Sequence, residues 1–397
     1  MDITIYPGKL RGTVTAIPSK SQAHRLLICA AFADAPTHLT CPQTNEDIEA
    51  TARCLNALGA DIQRTEDGYQ VNPVMCLPRS ANLDCGESGS TLRFLLPVVC
   101  ALGVSATFRL HGRLPLRPLS PLWEELERMG CTLTRPTEDT IQTDGKLQPG
   151  QFTIAGNVSS QFVSGLLFAA ALMDGSSSIE ITGALESKPY VDMTVQALAS
   201  FGVTTDGLHI CGSYPFRSPK DICVEGDWSN GAFFVVAKAL GSDIAINNLR
   251  ADSPQGDKVI AELVHSNRAE ALSVANFPDL VPILAVYYSA KGGATLTNIA
   301  RLRLKESDRV ATVVDMLSQL GASACATEDT LTICSGVFNG CTIDAAGDHR
   351  IAMAAAIAAT AATGPITILG AECVNKSYPA FWQVYKELGG QYEQYLR

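Results

Sequence analysis

One pattern recurs along this chain of 397 residues: an amphipathic helix ending in Leu-x-x-Leu-Gly or a similar sequence, then a strand, a polar turn and a second strand. The glycines that end these helices are Gly59, Gly130, Gly202, Gly321 and Gly389. A glycine after the last helical residue predicts a left-handed backbone that terminates the helix, and the polar turn predicts a hairpin. The repeated alternation of helix and strand predicts an α/β protein.

The spacing of these glycines indicates six copies of the pattern. It is about 70 residues except between Gly202 and Gly321, where there is room for one further, degenerate copy in the region of Val264–Leu272. Six copies divide most simply into three and three, which predicts two similar lobes joined near Val224–Asp227. A single solenoid of stacked repeats is the alternative, but solenoid repeats are usually shorter than these.

The balance of charges limits the classes of partner. The chain carries 30 Lys and Arg against 40 Asp and Glu, a net charge of −10. Binding to nucleic acid or to an anionic membrane would need a cationic surface, so we expect neither partner. A small anionic ligand is compatible with this charge, because a local cluster of cations can outweigh distant acidic residues.

The cysteines and the apolar stretches indicate a cytoplasmic protein. The 13 cysteines lack the paired spacing of a zinc site or a disulfide framework, so we expect reduced thiols and a reducing compartment. The first residues do not follow the pattern of a signal peptide. The longest nearly apolar stretches, such as Phe94–Val104, are shorter than the ~20 residues that span a bilayer, so we expect no membrane-spanning helix.

Polar side chains gather where helices are predicted to begin. Six such starts are Ser19–Arg25, Gly86–Arg93, Ser159–Gln161, Lys305–Arg309, Asp348–Arg350 and Lys376–Pro379. A helix N-terminus attracts anions through its free backbone N–H groups and its dipole. Each start alone could be an ordinary cap or a solvated helix face, but their joint occurrence predicts binding of phosphate or carboxylate in a cationic pocket.

Several other chemistries lack their motifs in the sequence. The chain has no Walker-type nucleotide loop, no HExxH zinc motif and no GxSxG nucleophile motif. Asp279 and Glu306 are the acidic candidates for proton transfer, because a carboxylate among cations and substrate hydroxyls can act as a general acid or base. Each of them could equally be the partner of a salt bridge.

Seven motifs, in order along nearly the whole chain, resemble those of the 5-enolpyruvylshikimate-3-phosphate synthase family. They are SKSxxxR (Ser19–Arg25), GxSGxTxR (Gly86–Arg93), LRP (Leu116–Pro118), SSQ (Ser159–Gln161), SKPY (Ser187–Tyr190), LKExDR (Leu304–Arg309) and DHR (Asp348–Arg350). Any one motif is a weak signal, whereas seven in the family's order make a strong match.

The resemblance implies an α/β fold of two similar lobes, each built from three βαβαββ repeats as an inside-out α/β barrel. It places the active site in the cleft between the lobes. It also implies that one lobe is discontinuous and contains residues 1–15 and 227–397, while the other contains residues 16–226.

The resemblance implies an activity as well. The family transfers the enolpyruvyl group of phosphoenolpyruvate to the 5-hydroxyl of shikimate 3-phosphate, a step in aromatic amino acid biosynthesis. The methylene carbon is protonated while the hydroxyl attacks, and the tetrahedral intermediate then eliminates phosphate. No metal or organic cofactor is implied, and we expect a monomer whose partners are these two small anions.

The matching motif positions assign residues to each substrate. Those implied for shikimate 3-phosphate are Lys20, Ser21, Arg25, Ser159, Ser160, Gln161, Ser187, Asp279 and Lys305. Those implied for phosphoenolpyruvate are Lys20, Gly89, Arg117, Gln161, Arg309, Arg350 and Lys376. Asp279 resembles the family's proton acceptor and Glu306 its proton donor, with Lys20 and Lys376 as further candidates for proton transfer.

Two positions depart from the family pattern. Glu87 stands where many members have Asn, and Arg301 stands where an Asn often contacts the shikimate phosphate. These departures leave the substrate affinity and the response to the inhibitor glyphosate open.

Three alternative functions fit the sequence less well than enolpyruvyl transfer to shikimate 3-phosphate. The sister enzyme, UDP-N-acetylglucosamine enolpyruvyl transferase, has Asn at the position of Ser21 and usually a cysteine in a loop that here, at Arg113–Pro121, has none. An RNA 3′-phosphate cyclase would be expected to have a more basic surface. A repeat protein that only binds anions would have no reason to combine Asp279, Glu306 and Lys20 with so many cations.

Overall fold

The computed structural model describes residues 1–212, 215–265 and 271–395. The chain divides into two compact units. Unit 1 consists of Met1–Ile17 and Glu225–Arg397, and unit 2 of Pro18–Val224. Each unit has its own hydrophobic core.

Helices and strands alternate along most of the chain. The α-helices of the described residues are α1 (Lys20–Ala31), α2 (Glu46–Ala57), α3 (Gly89–Leu102), α4 (Leu122–Arg128), α5 (Ser160–Leu172), α6 (Lys188–Ser200), α7 (Trp228–Ala239), α8 (Ile260–Leu263), α9 (Val281–Lys291), α10 (Arg309–Gln319), α11 (His349–Ala359) and α12 (Phe381–Glu387). Short 3-10 helices lie at Leu114–Leu116, Gly256–Val259, Pro278–Leu280, Ala300–Leu304 and Ala371–Lys376.

The strands of the same residues are short. They are β1 (Asp2–Tyr6), β2 (Arg11–Thr15), β3 (Thr37–Thr40), β4 (Asp61–Arg64), β5 (Gly68–Asn72), β6 (Ser80–Asp84), β7 (Ser105–Arg109), β8 (Cys131–Thr137), β9 (Thr140–Gly145), β10 (Gln151–Ala155), β11 (Ser177–Thr182), β12 (His209–Ile210), β13 (Asp221–Cys223), β14 (Asp243–Asn247), β15 (Leu272–Ser273), β16 (Ala294–Thr297), β17 (Ala324–Ala326), β18 (Thr330–Ile333), β19 (Cys341–Asp344), β20 (Ile366–Leu369) and β21 (Gln391–Tyr395).

Unit 2 shows the repeat most completely in the order β6, α3, β7, α4, β8, β9. Helix α3 connects β6 and β7, which pair in parallel. Strand β9 of the hairpin β8–β9 pairs antiparallel with β7, which gives the sheet order β6-β7-β9-β8. The sheet β13-β3-β5-β4 has the same arrangement, and β10-β11-β12 has a shorter form of it. This is the βαβαββ pattern that the family resemblance implies, and its last helix and hairpin are the pattern that recurs in the sequence.

Unit 1 builds its sheets with strands from both ends of the chain. Its sheets are β15-β16-β18-β17, β19-β20-β1-β21 and β14-β2. Strand β1 lies antiparallel between β20 and β21, and so takes the place that β9 has in its own sheet. Strand β2 pairs in parallel with β14. The region expected to hold the degenerate copy, Val264–Leu272, includes residues 266–270, which lie outside the described residues.

The repeated glycines confirm the prediction made for them. Each follows the end of a helix with a positive φ: 104° at Gly59, 105° at Gly130, 78° at Gly202, 87° at Gly321 and 86° at Gly389. In this region of conformational space a side chain is strained, so glycine ends the helix and directs the chain into the next strand.

Apolar helices form the centres of both units. Every residue of α11 is buried, and after His349 and Arg350 the helix is apolar on all faces, as expected for a helix in a protein core. In unit 2, α3 packs so closely on α5 that a Cβ atom at Gly165 would clash with the carbonyl oxygen of Arg93. None of the described helices combines the length and the apolar character that crossing a membrane requires.

Candidate functional site

A cluster of charged side chains surrounds Asp279 in unit 1. The Asp279 carboxylate accepts hydrogen bonds from Arg309 Nη1 at 2.9 Å and Arg350 Nη2 at 3.1 Å, and Lys305 Nζ lies 3.4 Å away. Arg309 also donates to Glu306 Oε2 at 2.7 Å. These five residues, here called the Asp279 cluster, bring together most of the unit 1 residues that the sequence assigns to a site.

Arg309 is the buried centre of this cluster. Its side chain is 1% exposed and contacts a third carboxylate, with Nε 2.9 Å from Asp348 Oδ2. Asp348 is fully buried, caps α11 by accepting from the backbone N–H of Arg350, and accepts from the Ser307 hydroxyl at 3.1 Å. The cap at Asp348 confirms the helix start predicted at Asp348–Arg350, and the bonds of Asp348 link the start of α11 to the start of α10.

The charges in the cluster shift the proton affinities of its members. Burial alone would raise the pKa of Asp279, but the positive charges of Arg350, Lys305 and Arg309 outweigh it and hold that pKa well below its usual range. Burial lowers the pKa of Lys305 to about 8. For Arg309 the carboxylates of Asp348, Glu306 and Asp279 outweigh the effect of burial and raise its pKa.

The cluster keeps a route to solvent despite its burial. The side chains of Asp279, Glu306 and Lys305 are 20%, 15% and 24% exposed. An ionised carboxylate, a second carboxylate and a primary amine can therefore reach a bound molecule, while Arg309 lies behind them. This arrangement suits proton transfer on an anionic substrate.

In unit 2, a second group of predicted residues lies at the starts of helices. Lys20, the first residue of α1, forms a salt bridge of 2.8 Å with Asp47 in the first turn of α2. Arg25 is 2% exposed and donates to the hydroxyl of Thr194 at 2.8 Å and to the carbonyl oxygen of Tyr190 at 2.7 Å. It also donates to the backbone carbonyl of Ser21.

The start of α3 lies against two guanidinium groups. A Cβ atom at Gly89 would lie 2.6 Å from Arg117 Nη1 and 3.2 Å from Arg93 Nη1, so only glycine lets both groups approach the helix end this closely. Arg93 donates to Gln161 Oε1 at 2.9 Å and to the carbonyl oxygen of Pro118 at 3.0 Å. Gln161 Nε2 donates to the Ser90 hydroxyl at 2.9 Å.

The remaining predicted residues are placed as follows. The hydroxyl of Ser159 caps α5 by accepting from the backbone N–H of Gln161 at 3.3 Å, and Ser160 is the first residue of that helix. Ser187 is buried and precedes α6 with a φ of 54°. Lys376 is the last residue of a 3-10 helix and is half-buried.

Two expectations about helix starts are wrong. Lys305 and Glu306 do not share a helix with Arg309, because they lie between the 3-10 helix Ala300–Leu304 and α10, which begins at Arg309. Lys376 does not begin a helix either, since α12 begins at Phe381. Lys305 and Glu306 directly follow a short 3-10 helix, and Lys376 is the last residue of another. Such segments are too short to show a periodic pattern in the sequence.

Three residues of these groups were not assigned to a substrate or to catalysis from the sequence. Arg93 lies inside a quoted motif and links Gln161 to the segment that carries Arg117. Asp47 and Asp348 are buried partners of Lys20 and Arg309. The motif containing Arg93 was a usable signal, whereas nothing in the sequence pairs a distant aspartate with a given cation.

Comparisons with known proteins agree on one family. Residues 5–385 match the family model described as EPSP synthase (3-phosphoshikimate 1-carboxyvinyltransferase). The chain is 39% identical to the 3-phosphoshikimate 1-carboxyvinyltransferase of Clostridium kluyveri, over 99% of this chain and 98% of that protein. It is 36% identical to the enzyme of the same name from Clostridioides difficile, over 99% and 98% of the two chains.

Solved structures share the fold. An EPSP synthase from Acinetobacter baumannii matches with a TM-score of 0.81 and 26% identity, over 99% of this chain and 100% of that one. The enolpyruvyl transferase NikO from Streptomyces tendae matches with a TM-score of 0.78 at 18% identity, over 99% and 98% of the two chains, which is a similarity of fold alone.

Proposed function

The chain belongs to the EPSP synthase family, and we propose on this premise that it transfers the enolpyruvyl group of phosphoenolpyruvate to the 5-hydroxyl of shikimate 3-phosphate and releases phosphate. The observation that carries the proposal is the Asp279 carboxylate, held ionised among three cations and still 20% exposed. Such a group can take a proton from a hydroxyl, while the cations around it attract the anionic substrates.

We propose the following roles for the residues of unit 1. Asp279 accepts the proton of the 5-hydroxyl while Glu306 donates a proton to the methylene carbon of phosphoenolpyruvate, which becomes a methyl group. When phosphate leaves, Glu306 takes a proton back from that methyl group, so the enolpyruvyl double bond forms again, and the proton held by Asp279 passes to the released phosphate. Lys305 and Asp279 contact shikimate 3-phosphate. The cations assigned to phosphoenolpyruvate are Arg309, Arg350 and Lys376. Because Arg309 is 1% exposed, its charge acts mainly by fixing the two carboxylates that move protons.

The residues of unit 2 are proposed to bind the same two substrates. Lys20 contacts both of them and assists proton transfer. The residues for shikimate 3-phosphate are Lys20, Ser21, Arg25, Ser159, Ser160, Gln161 and Ser187. Those for phosphoenolpyruvate are Lys20, Gly89, Arg117 and Gln161. Since the donors of Arg25 already bond Thr194 and Tyr190, its charge acts on the phosphate from behind Ser21.

We further propose that the enzyme works as a cytoplasmic monomer without a metal or an organic cofactor, and that it binds no nucleic acid. The net charge of −10 supports the last point. Light scattering on the purified protein would test the monomer, which requires a mass close to 42.2 kDa.

The choice of acceptor tests the proposed function. Purified protein with phosphoenolpyruvate and shikimate 3-phosphate should release inorganic phosphate, and omission of either substrate should stop the release. UDP-N-acetylglucosamine in place of shikimate 3-phosphate should give no release. Release with the UDP-sugar alone would assign the chain to the sister enzyme instead.

The pKa of Lys305 predicts a loss of activity at alkaline pH. The kcat/KM for shikimate 3-phosphate should fall as the pH rises through about 8, because the free enzyme then loses the positive charge at this position. Lys305→Arg keeps its charge in this range, so its profile should lack the fall near pH 8. A fall at the same pH in both enzymes would show that another group is responsible.

A further inference from the structure

Three buried side chains form a hydrogen-bonded chain across the helices α1, α2 and α3 of unit 2. His24 Nδ1 lies 2.7 Å from Thr51 Oγ1, and Thr51 Oγ1 lies 2.7 Å from Thr91 Oγ1. Thr91 Oγ1 in turn donates to Ser88 Oγ at 2.8 Å. His24, Thr51 and Thr91 are each fully buried. We call these three residues the His24 network.

The network lies directly behind the residues proposed to contact phosphoenolpyruvate. His24 follows Lys20 by four residues on α1, and Thr51 follows Asp47 by four residues on α2, so each pair lies on one helix face a turn apart. The bond between His24 and Thr51 therefore runs parallel to the Lys20–Asp47 salt bridge of 2.8 Å, one turn deeper in the unit.

The third helix is tied to the other two by the same network. Thr91 lies two residues after Gly89, the first residue of α3, and its backbone N–H donates to the capping hydroxyl of Ser88 at 3.2 Å. Thr91 Oγ1 also lies 3.4 Å from the backbone carbonyl oxygen of Asp47. The network thus joins the start of α3 to the start of α2 at the residue that pairs with Lys20.

His24 is suited to this place because it stays neutral. Burial lowers its pKa to about 3, and the nearby charges of Lys20 and Arg25 act in the same direction, while Asp47 opposes them. A neutral imidazole can bond a hydroxyl without adding a third positive charge beside Lys20 and Arg25. Its ring packs in a T-shaped arrangement with that of Phe94 in α3, with 6.3 Å between ring centroids.

We propose that His24, Thr51 and Thr91 are positioning residues for enolpyruvyl transfer: their hydrogen bonds fix the starts of α1, α2 and α3, and so hold Lys20 and Gly89 where phosphoenolpyruvate binds. This inference rests on the proposed function. The three residues touch neither substrate and act through the helix starts. Removal of one hydroxyl lets the three starts shift against one another, and small displacements of binding groups cost large factors in rate.

The test replaces one hydroxyl by a methyl group of the same shape. Thr51→Val should raise the KM for phosphoenolpyruvate and lower kcat/KM by about tenfold or more. Thr51→Ser, which keeps the hydroxyl, should restore kcat/KM to within about twofold of the wild type. The control is Thr37→Val in β3, which removes a buried hydroxyl that bonds Ser218 at 2.8 Å outside the network and should leave both constants unchanged.

The outcomes separate the inference from the proposed function. A wild-type protein without phosphate release overturns both. If the wild type is active, and Thr51→Val lowers the melting temperature but leaves kcat/KM unchanged, as is expected for Thr37→Val, the inference alone is overturned. Thr91→Val removes the next hydroxyl of the network and serves as the test variant if Thr51→Val does not fold. Where both variants fold, the double variant should lose less activity than the two single losses combined, since the two hydroxyls share one hydrogen bond. A double loss equal to the sum of the single losses in free energy would contradict the network.

Discussion

Replacing Asp279 with Asn should lower kcat by about 10²–10⁴-fold. The amide has the size of the carboxylate and can still face Arg309 and Arg350, but it cannot accept the proton of the 5-hydroxyl. The KM values should change much less than kcat, because the cations that attract the substrates remain. Steady-state phosphate release at saturating substrates measures the effect.

A matched control distinguishes this effect from a general loss of negative charge in unit 1. Asp252→Asn removes a carboxylate of the same unit that is 72% exposed and paired with Arg250 at 2.7 Å. Its kcat should equal that of the wild type. If Asp279→Asn kept its kcat within about threefold of the wild type, the proton would have to go to another group, and the proposed role of Asp279 would be wrong.

The second large effect is on stability. Arg309→Ala should lower the free energy of unfolding by about 3–5 kcal/mol, because it leaves buried carboxylates without their cation. Asp348 is fully buried, and Glu306 and Asp279 are 15% and 20% exposed. The deficit relative to the wild type should shrink as the pH falls, since protonated carboxyls need no counter-charge.

Urea unfolding followed by tryptophan fluorescence measures this loss. The chain has three tryptophans, of which Trp228 and Trp382 lie in the core of unit 1 and Trp123 packs on that of unit 2. A Trp123→Phe background therefore makes the signal specific to the unit that contains Arg309.

Two further variants test the cause of the instability. Arg303→Ala removes a cation whose side chain is 35% exposed, 3.4 Å from Asp308, and should cost no more than about 1 kcal/mol. Asp348→Asn added to Arg309→Ala should recover part of the loss, because it removes the most buried negative charge. If Arg309→Ala lowered the free energy of unfolding by less than about 1 kcal/mol, Arg309 would not be the cation that stabilises these buried carboxylates.

The sequence predicted the repeating features of the fold because they leave a local signal. The helix-ending glycines and the polar turns recur in each copy, and the positive φ at Gly59 through Gly389 follows from the same steric rule at every position. Helix starts such as Ser159–Gln161 and Asp348–Arg350 were also predicted, since polar residue types before an apolar helix are visible in the sequence.

What could not be predicted depends on tertiary contacts. The pairing of Lys20 with Asp47 and of Arg309 with Asp348 joins residues that are 27 and 39 positions apart, for which the sequence has no signal. The same holds for His24, Thr51 and Thr91, which read as ordinary helix residues until three helices bring them together. The residues alone left Asp279 and Glu306 open between proton transfer and salt bridges, and the family resemblance supplied their roles.

The central claim is that this chain transfers an enolpyruvyl group by protonating and then deprotonating its methylene carbon, with both substrates bound. The most direct measurement is an NMR spectrum of the product formed in heavy water from phosphoenolpyruvate and shikimate 3-phosphate. The expected product is an enolpyruvyl ether at the 5-oxygen that carries deuterium on its methylene carbon. An ether without deuterium, or no product at all, would contradict it.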